Sequence, residues 1–229
     1  MYKRQETNIN GADCVISQTG FTGEKGYEIY VRDTHENAEK VWNQVLEDGK
    51  EFGLMVIAPA HHRRIAAGIL SWGQDLDHES SPFQVNLSYQ VPRNKKADYI
   101  GKEELERQRD MIDQGKAPFK MKMVGITLGG KEITDYAPDF WIVTDTNGDE
   151  MGYVTSPWWS PELGTNIALA WVPWSSSEVG TKLLVKLPDE YSVTPGEPVE
   201  GEVVNVPFRE SVNPNKREVE ASKGKDFAE

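Results

Sequence analysis

Residues 17–31 read SQTGFTGEKGYEIYV, with glycines at positions 20, 23 and 26 and a strand-like YEIYV directly behind them. Glycines ahead of an element often cradle phosphate, but both familiar versions fail here on spacing. A Walker loop places glycine before its lysine and a hydroxyl after it, whereas Lys25 stands between Glu24 and Gly26. A dinucleotide fingerprint is G-x-G-x-x-G opening a helix; this run is GxxGxxG and opens a strand. A glycine-rich hairpin loop accounts for the spacing by itself. The strand carries more information. In YEIYV, Glu28 and Tyr30 share one face, and Tyr27 and Ile29 the other. A carboxylate beside a phenol ring has the chemistry to grip a flat amino-heterocycle, because the acid accepts paired N–H bonds and the ring stacks.

Around this stretch, Ala12–Ile16 and Tyr27–Val31 read as two strands joined by the glycine loop. DTHENAEKVWNQVLEDG follows as a helix, with Ala38, Val41, Trp42, Val45 and Leu46 on one apolar stripe. Asp33 or Thr34 suits its start and Gly49 its end. GLMVIAP reads as a short buried strand or element end, and a second helix is expected over His61–Leu70. Residues 71–92 are turn-rich, and a charged third helix ends at Gly115. Beyond KAPFK the character changes to short strands: MVGITL, DFWIVTD, MGYVTSP, NIALAWVP, TKLLVKLP and GEVVNVPF. Asn147-Gly148 is a good hairpin turn between two of them. This spacing predicts a small antiparallel sandwich or barrel. Residues 209–229 hold few apolar groups and read as a disordered tail.

With 229 residues the chain is long enough for a sizeable core. Twenty-five Lys and Arg against 37 Asp and Glu give a formal charge of −12, which repels phosphate backbones and excludes general nucleic-acid binding. No stretch approaches a membrane span, and MYKRQETNINGADC lacks the apolar core of a secretory signal. The single Cys14 leaves no internal disulfide, which favours a reducing compartment, most simply the cytoplasm.

No metal site is expected. His61 and His62 are adjacent, so on a helix they point about 100° apart instead of converging. HHRR therefore reads as a polar helix face suited to solvent or an anion. The acidic turn WGQDLDHESSP has Ser80 and Asn86 where a calcium loop from Asp75 needs glycine and glutamate. That turn reads as solvated or capping, although Trp72 beside Gly73 and two aspartates has the makings of a cationic pocket.

Four stretches then carry a family resemblance. TGFTGEKGYEI is similar to the T-G-[YF]-[ST]-G-E-x-G-[YFV]-E-I signature of the folate-dependent aminomethyltransferases, the glycine cleavage T-protein family. RIAAGILSWGQDLDHESSP, DYIGKEEL and GYVTSPWWSPELGTNIALAWVP resemble its later motifs in the same order. IAPAHHRRIAAGILSWGQDLDHESSPFQVNL, ITDYAPDFW and LPDEYSVTPGEPVEGEVVNVPF are similar to the branch that demethylates dimethylsulfoniopropionate. One departure fits that branch: where T-proteins carry a folate-holding arginine, this chain has Ala60.

The resemblance implies an α+β, aminomethyltransferase-like multidomain fold, with interwoven α/β domains and a C-terminal antiparallel β-barrel or sandwich. It implies methyl transfer from dimethylsulfoniopropionate to tetrahydrofolate as co-substrate, with Glu28 and Tyr30 on the folate and Trp72 near the substrate. No catalytic residue is assigned by it, and its partners are small molecules, not nucleic acid or membrane. The implied organisation is an N-terminal stub over 1–11, a partial folate-binding region over 12–116, a barrel over 118–208 and the tail. Because the family has a large region ahead of the glycine loop, the resemblance also implies a truncated chain with little demethylase activity alone.

Overall fold

The computed structural model describes residues 4–208, so the predicted tail over 209–229 lies outside the described residues. Two compact units divide between His61 and His62. The first is a three-stranded antiparallel meander of β1 (Arg4–Ile9), β2 (Ala12–Ser17) and β3 (Glu28–Val31), followed by α1 (Thr34–Gly49). The segment expected to be a stub therefore supplies a strand. Asn10 and Gly11 both take left-handed φ values, which closes a tight turn and sets Arg4 opposite Ser17.

Register fixes which side chains share a face. Cys14 pairs with Val31 and Ser17 with Glu28, so Ala12, Cys14, Ile29 and Val31 lie on one side. On that side Ala12, Cys14 and Val31 pack against Val41 and Val45 of α1. Glu28 and Tyr30 lie on the opposite side, as the alternation predicts. Only part of the expected helix stripe is used, since Ala38 and Trp42 stay exposed. GLMVIAP is not a buried strand. It forms no ladder among the described residues, and Met55, Val56 and Ile57 are all more than 60% exposed.

Starting at the unit boundary, α2 spans His61–Ala66 and stops short of the expected Leu70, because Gly68 turns the chain at a φ of 71°. A Cβ at Gly68 would also come within 2.5 Å of Val206. After α3 (Lys102–Asp113) come β4 (Met121–Leu128), β5 (Trp141–Thr144), β6 (Glu150–Ser160), β7 (Thr165–Pro173), β8 (Lys182–Val185) and β9 (Val199–Val204). They close into an antiparallel barrel in the order β4-β7-β6-β5-β8-β9. Alternation sends Val124, Ile126, Ala168, Ala170 and Val172 into the barrel core. It sends Met123, Ile167, Leu169 and Trp171 outward, where Ile65, Ala66 and Val85 cover them. That second apolar layer is why residues 62–92 group with the barrel and not with the three-stranded sheet.

Candidate functional site

The glycine loop and β3 build a polar cluster around one carboxylate. Thr19 Oγ1 and the Tyr30 hydroxyl, the latter at 2.9 Å, both donate to Oε2 of Glu28. These two bonds, Thr19 first, hold the Glu28 carboxyl below its ordinary range, so it stays ionised. Its other oxygen, Oε1, accepts no hydrogen bond among the described residues. The carboxylate is thus anchored by one oxygen and presents the second from a partly exposed position on the sheet face opposite α1.

Tyr30 does more than offer a ring: its hydroxyl orients Glu28, while the side chain remains 55% exposed. Thr19 was not singled out from sequence. A threonine ahead of a glycine turn looks like ordinary turn chemistry until the chain folds it back nine residues onto Glu28. Of the three glycines only Gly23 takes a left-handed φ. The loop is therefore a turn and not an array of cradling N–H groups.

The acidic turn resolves differently from its expected solvated state. Asp75 is buried and pairs at 2.8 Å with Arg64, itself only 2% exposed. Oδ2 takes Arg64 Nη1 and, at 2.7 Å, the Ser71 N–H; Oδ1 takes the Thr155 and Ser156 hydroxyls, each at 2.6 Å. Ser156 Oγ in turn accepts from Arg64 Nη2 at 2.8 Å, and Trp171 Nε1 donates to the Asp75 carbonyl at 2.9 Å. Arg64 is accordingly not part of an open polar helix face. It is a buried cation tying α2 to β6, and sequence could not show this because its partners lie up to 92 positions away.

Asp77, by contrast, does cap: its Oδ1 accepts the Glu79 N–H at 2.9 Å and the Ser80 hydroxyl at 3.1 Å. Those bonds lower its pKa, the Glu79 N–H most. Trp72 stands in the second unit, 68% exposed, joined to Leu76 by one isolated bridge. A cavity of about 340 Å³ opens beside it, but its aromatic lining is Phe140, Tyr153 and Trp171 rather than Trp72.

Comparison with known proteins agrees with this architecture. Residues 1–95 match the GCVT N-terminal domain, and residues 122–208 match the glycine cleavage T-protein C-terminal barrel domain. The chain belongs to the glycine cleavage T-protein family. An aminomethyltransferase of a Geobacillus species is 37% identical over 169 residues, which is 73% of this chain and 43% of that protein. One from Thermotoga neapolitana is 34% identical over 213 residues, 90% of this chain and 51% of that protein. The crystal structure of the glycine cleavage system aminomethyltransferase T from Bartonella henselae superposes with a TM-score of 0.64 at 24% identity. It covers 86% of this chain and 50% of the Bartonella chain, and it establishes the fold. The chain spans about half the length of the curated relatives it matches.

Proposed function

We propose that the chain serves tetrahydrofolate-dependent methyl transfer, demethylating dimethylsulfoniopropionate to methylmercaptopropionate and forming 5-methyltetrahydrofolate. The observation that carries the folate assignment is Glu28, ionised, fixed through Oε2 by two hydroxyls, and open at Oε1. An amino-heterocycle such as the pterin presents an N–H edge that this oxygen is placed to accept, and the exposed Tyr30 ring offers a neighbouring flat surface.

The transfer itself asks little acid or base chemistry of the protein. The S–CH3 bond of a sulfonium breaks with its electron pair going to sulfur, leaving a neutral thioether. The N5 lone pair of the folate forms the new bond, and the N5 proton leaves to solvent. Positioning and exclusion of water supply the acceleration. Ala60, in the place of the family's folate-holding arginine, supports methyl over aminomethyl transfer. The name aminomethyltransferase borne by the relatives supports the second reading, transfer of an aminomethyl-derived carbon to the same folate.

Titration of the chain with tetrahydrofolate, followed by calorimetry, tests the site. Loss of one charge-assisted contact in Glu28→Gln should weaken binding tenfold or more. An unchanged dissociation constant removes Glu28 from the site. Incubation of the chain at high concentration with tetrahydrofolate and dimethylsulfoniopropionate, scored by mass spectrometry for the identity of the product and not for its rate, separates the readings: 5-methyltetrahydrofolate supports demethylation, and a methylene product from an aminomethyl donor alone refutes it.

A further inference from the structure

The second unit holds a cavity with an aromatic and acidic lining. Tyr153 of β6 and Trp171 of β7 are directly paired across the ladder, so both rings lie on the outer face of the barrel. The Phe140 ring stacks on Tyr153 with centroids 5.3 Å apart and planes at 17°. Trp171 is held in place by its N–H bond to the Asp75 carbonyl. These rings share the cavity of about 340 Å³ with the carboxylates of Asp77 and Glu79, and no Lys or Arg lines it. That volume falls within the usual range of small-molecule pockets, about 300–1,000 Å³.

The charges are available. Asp77 uses Oδ1 to cap its own turn, whereas its Oδ2 and both Glu79 oxygens accept no hydrogen bond among the described residues. The Tyr153 phenol is held above its ordinary range, first by burial and then by the negative charge of Asp77. The charge is therefore felt at the ring itself. A patch of aromatic faces beside two unpaired carboxylates repels anions and zwitterions carrying a carboxylate. It suits a cation whose charge is spread over methyl groups, which loses little hydration on meeting an aromatic face.

We propose that this cavity, between Phe140, Tyr153 and Trp171 on one side and Asp77 and Glu79 on the other, binds a small organic cation of the quaternary ammonium or sulfonium class. The cavity is lined wholly by residues of the second unit, and its test needs no folate and no turnover. Tetramethylammonium is the probe, added to the full 229-residue chain and followed by saturation-transfer NMR. Saturable binding is expected. Tyr153→Leu, which keeps an apolar side chain but removes the aromatic face, should weaken it about five- to tenfold. Asp77→Asn combined with Glu79→Gln removes both charges while leaving the Asp77 Oδ1 position an acceptor, and should weaken it tenfold or more. Where that double variant loses its fold by circular dichroism, Glu79→Gln alone serves, because the Glu79 side chain makes no hydrogen bond among the described residues and its charge should still count. The neutral isostere of choline, 3,3-dimethylbutan-1-ol, should not saturate. Absence of tetramethylammonium binding, equal binding of the neutral alcohol, or affinity unchanged by the charge variants would each overturn the assignment.

Discussion

Replacing Asp75 by asparagine isolates the cost of removing the Asp75 charge from the buried Arg64. Four donors converge on the Asp75 carboxylate: Arg64 Nη1, the Ser71 N–H and the hydroxyls of Thr155 and Ser156. An asparagine oxygen in the Oδ2 place keeps the first two. Thr155 can turn its hydrogen to the Leu169 carbonyl, 3.3 Å away, and Ser156 can accept from the new amide. Hydrogen bonding is thus largely rescued, and what remains is a guanidinium 2% exposed that has lost the charge of Asp75. Breaking a buried pair from one side costs about 3–5 kcal/mol, and the rescued hydrogen bonds place Asp75→Asn near 3 kcal/mol. For a unit of this size that is a fall in melting temperature of about 6–12 °C, read by scanning calorimetry on the barrel unit's transition. The decisive control is the cycle with Arg64→Met. With the cation gone, Asp75→Asn should cost at least about 2 kcal/mol less. A melting shift below about 2 °C, or the same cost in both backgrounds, would refute the reasoning.

Three further outcomes are expected. Thr19→Val removes the larger of the two bonds that lower the Glu28 pKa, so an NMR titration should show that carboxyl moving up towards its ordinary 4.5; no movement would sever Thr19 from the site. Glu104, paired with Arg107 and Gln108 on α3, titrates at about 2. Because its folded pKa is depressed, its contribution is complete above the ordinary 4.5 and is lost as pH falls through about 2, which side-chain NMR of Glu104 follows directly. Gly152→Ala would put a Cβ 2.1 Å from the Trp171 carbonyl oxygen, between paired strands with no room to retreat. Its expected cost is about 1–3 kcal/mol in urea unfolding, and a neutral result would mean the β6–β7 ladder yields more than its geometry allows.

Much of the fold was legible because it rests on local periodicity. The six strands of the barrel read as short β-rich runs between turn signals, and the Glu28–Tyr30 face follows from alternation alone. The reading failed where local pattern and tertiary cover part company. GLMVIAP has the composition of a buried strand, but no neighbour pairs with it among the described residues, so Val56 and Ile57 stay exposed. Leu70 continues a helical pattern that Gly68 ends, because the backbone there adopts a conformation open to glycine and faces Val206. Residues 4–9 carry an alternation too polar to stand out as a strand, and pairing with β2 makes them one.

By itself the sequence determined that Glu28 and Tyr30 share a strand face behind a tight glycine turn, since the two-residue period of an extended chain permits nothing else. It also determined that six short strands with turns between them follow residue 118. Only the tertiary structure decided which charges are spent and which are free. Asp75 and Asp77 lie two residues apart in one acidic turn, yet the first is enclosed by Arg64, Thr155 and Ser156 and the second faces a cavity with an open oxygen. Those partners come from other elements of the fold, and a side chain's burial and pairing depend on what long-range packing brings beside it rather than on its neighbours in sequence.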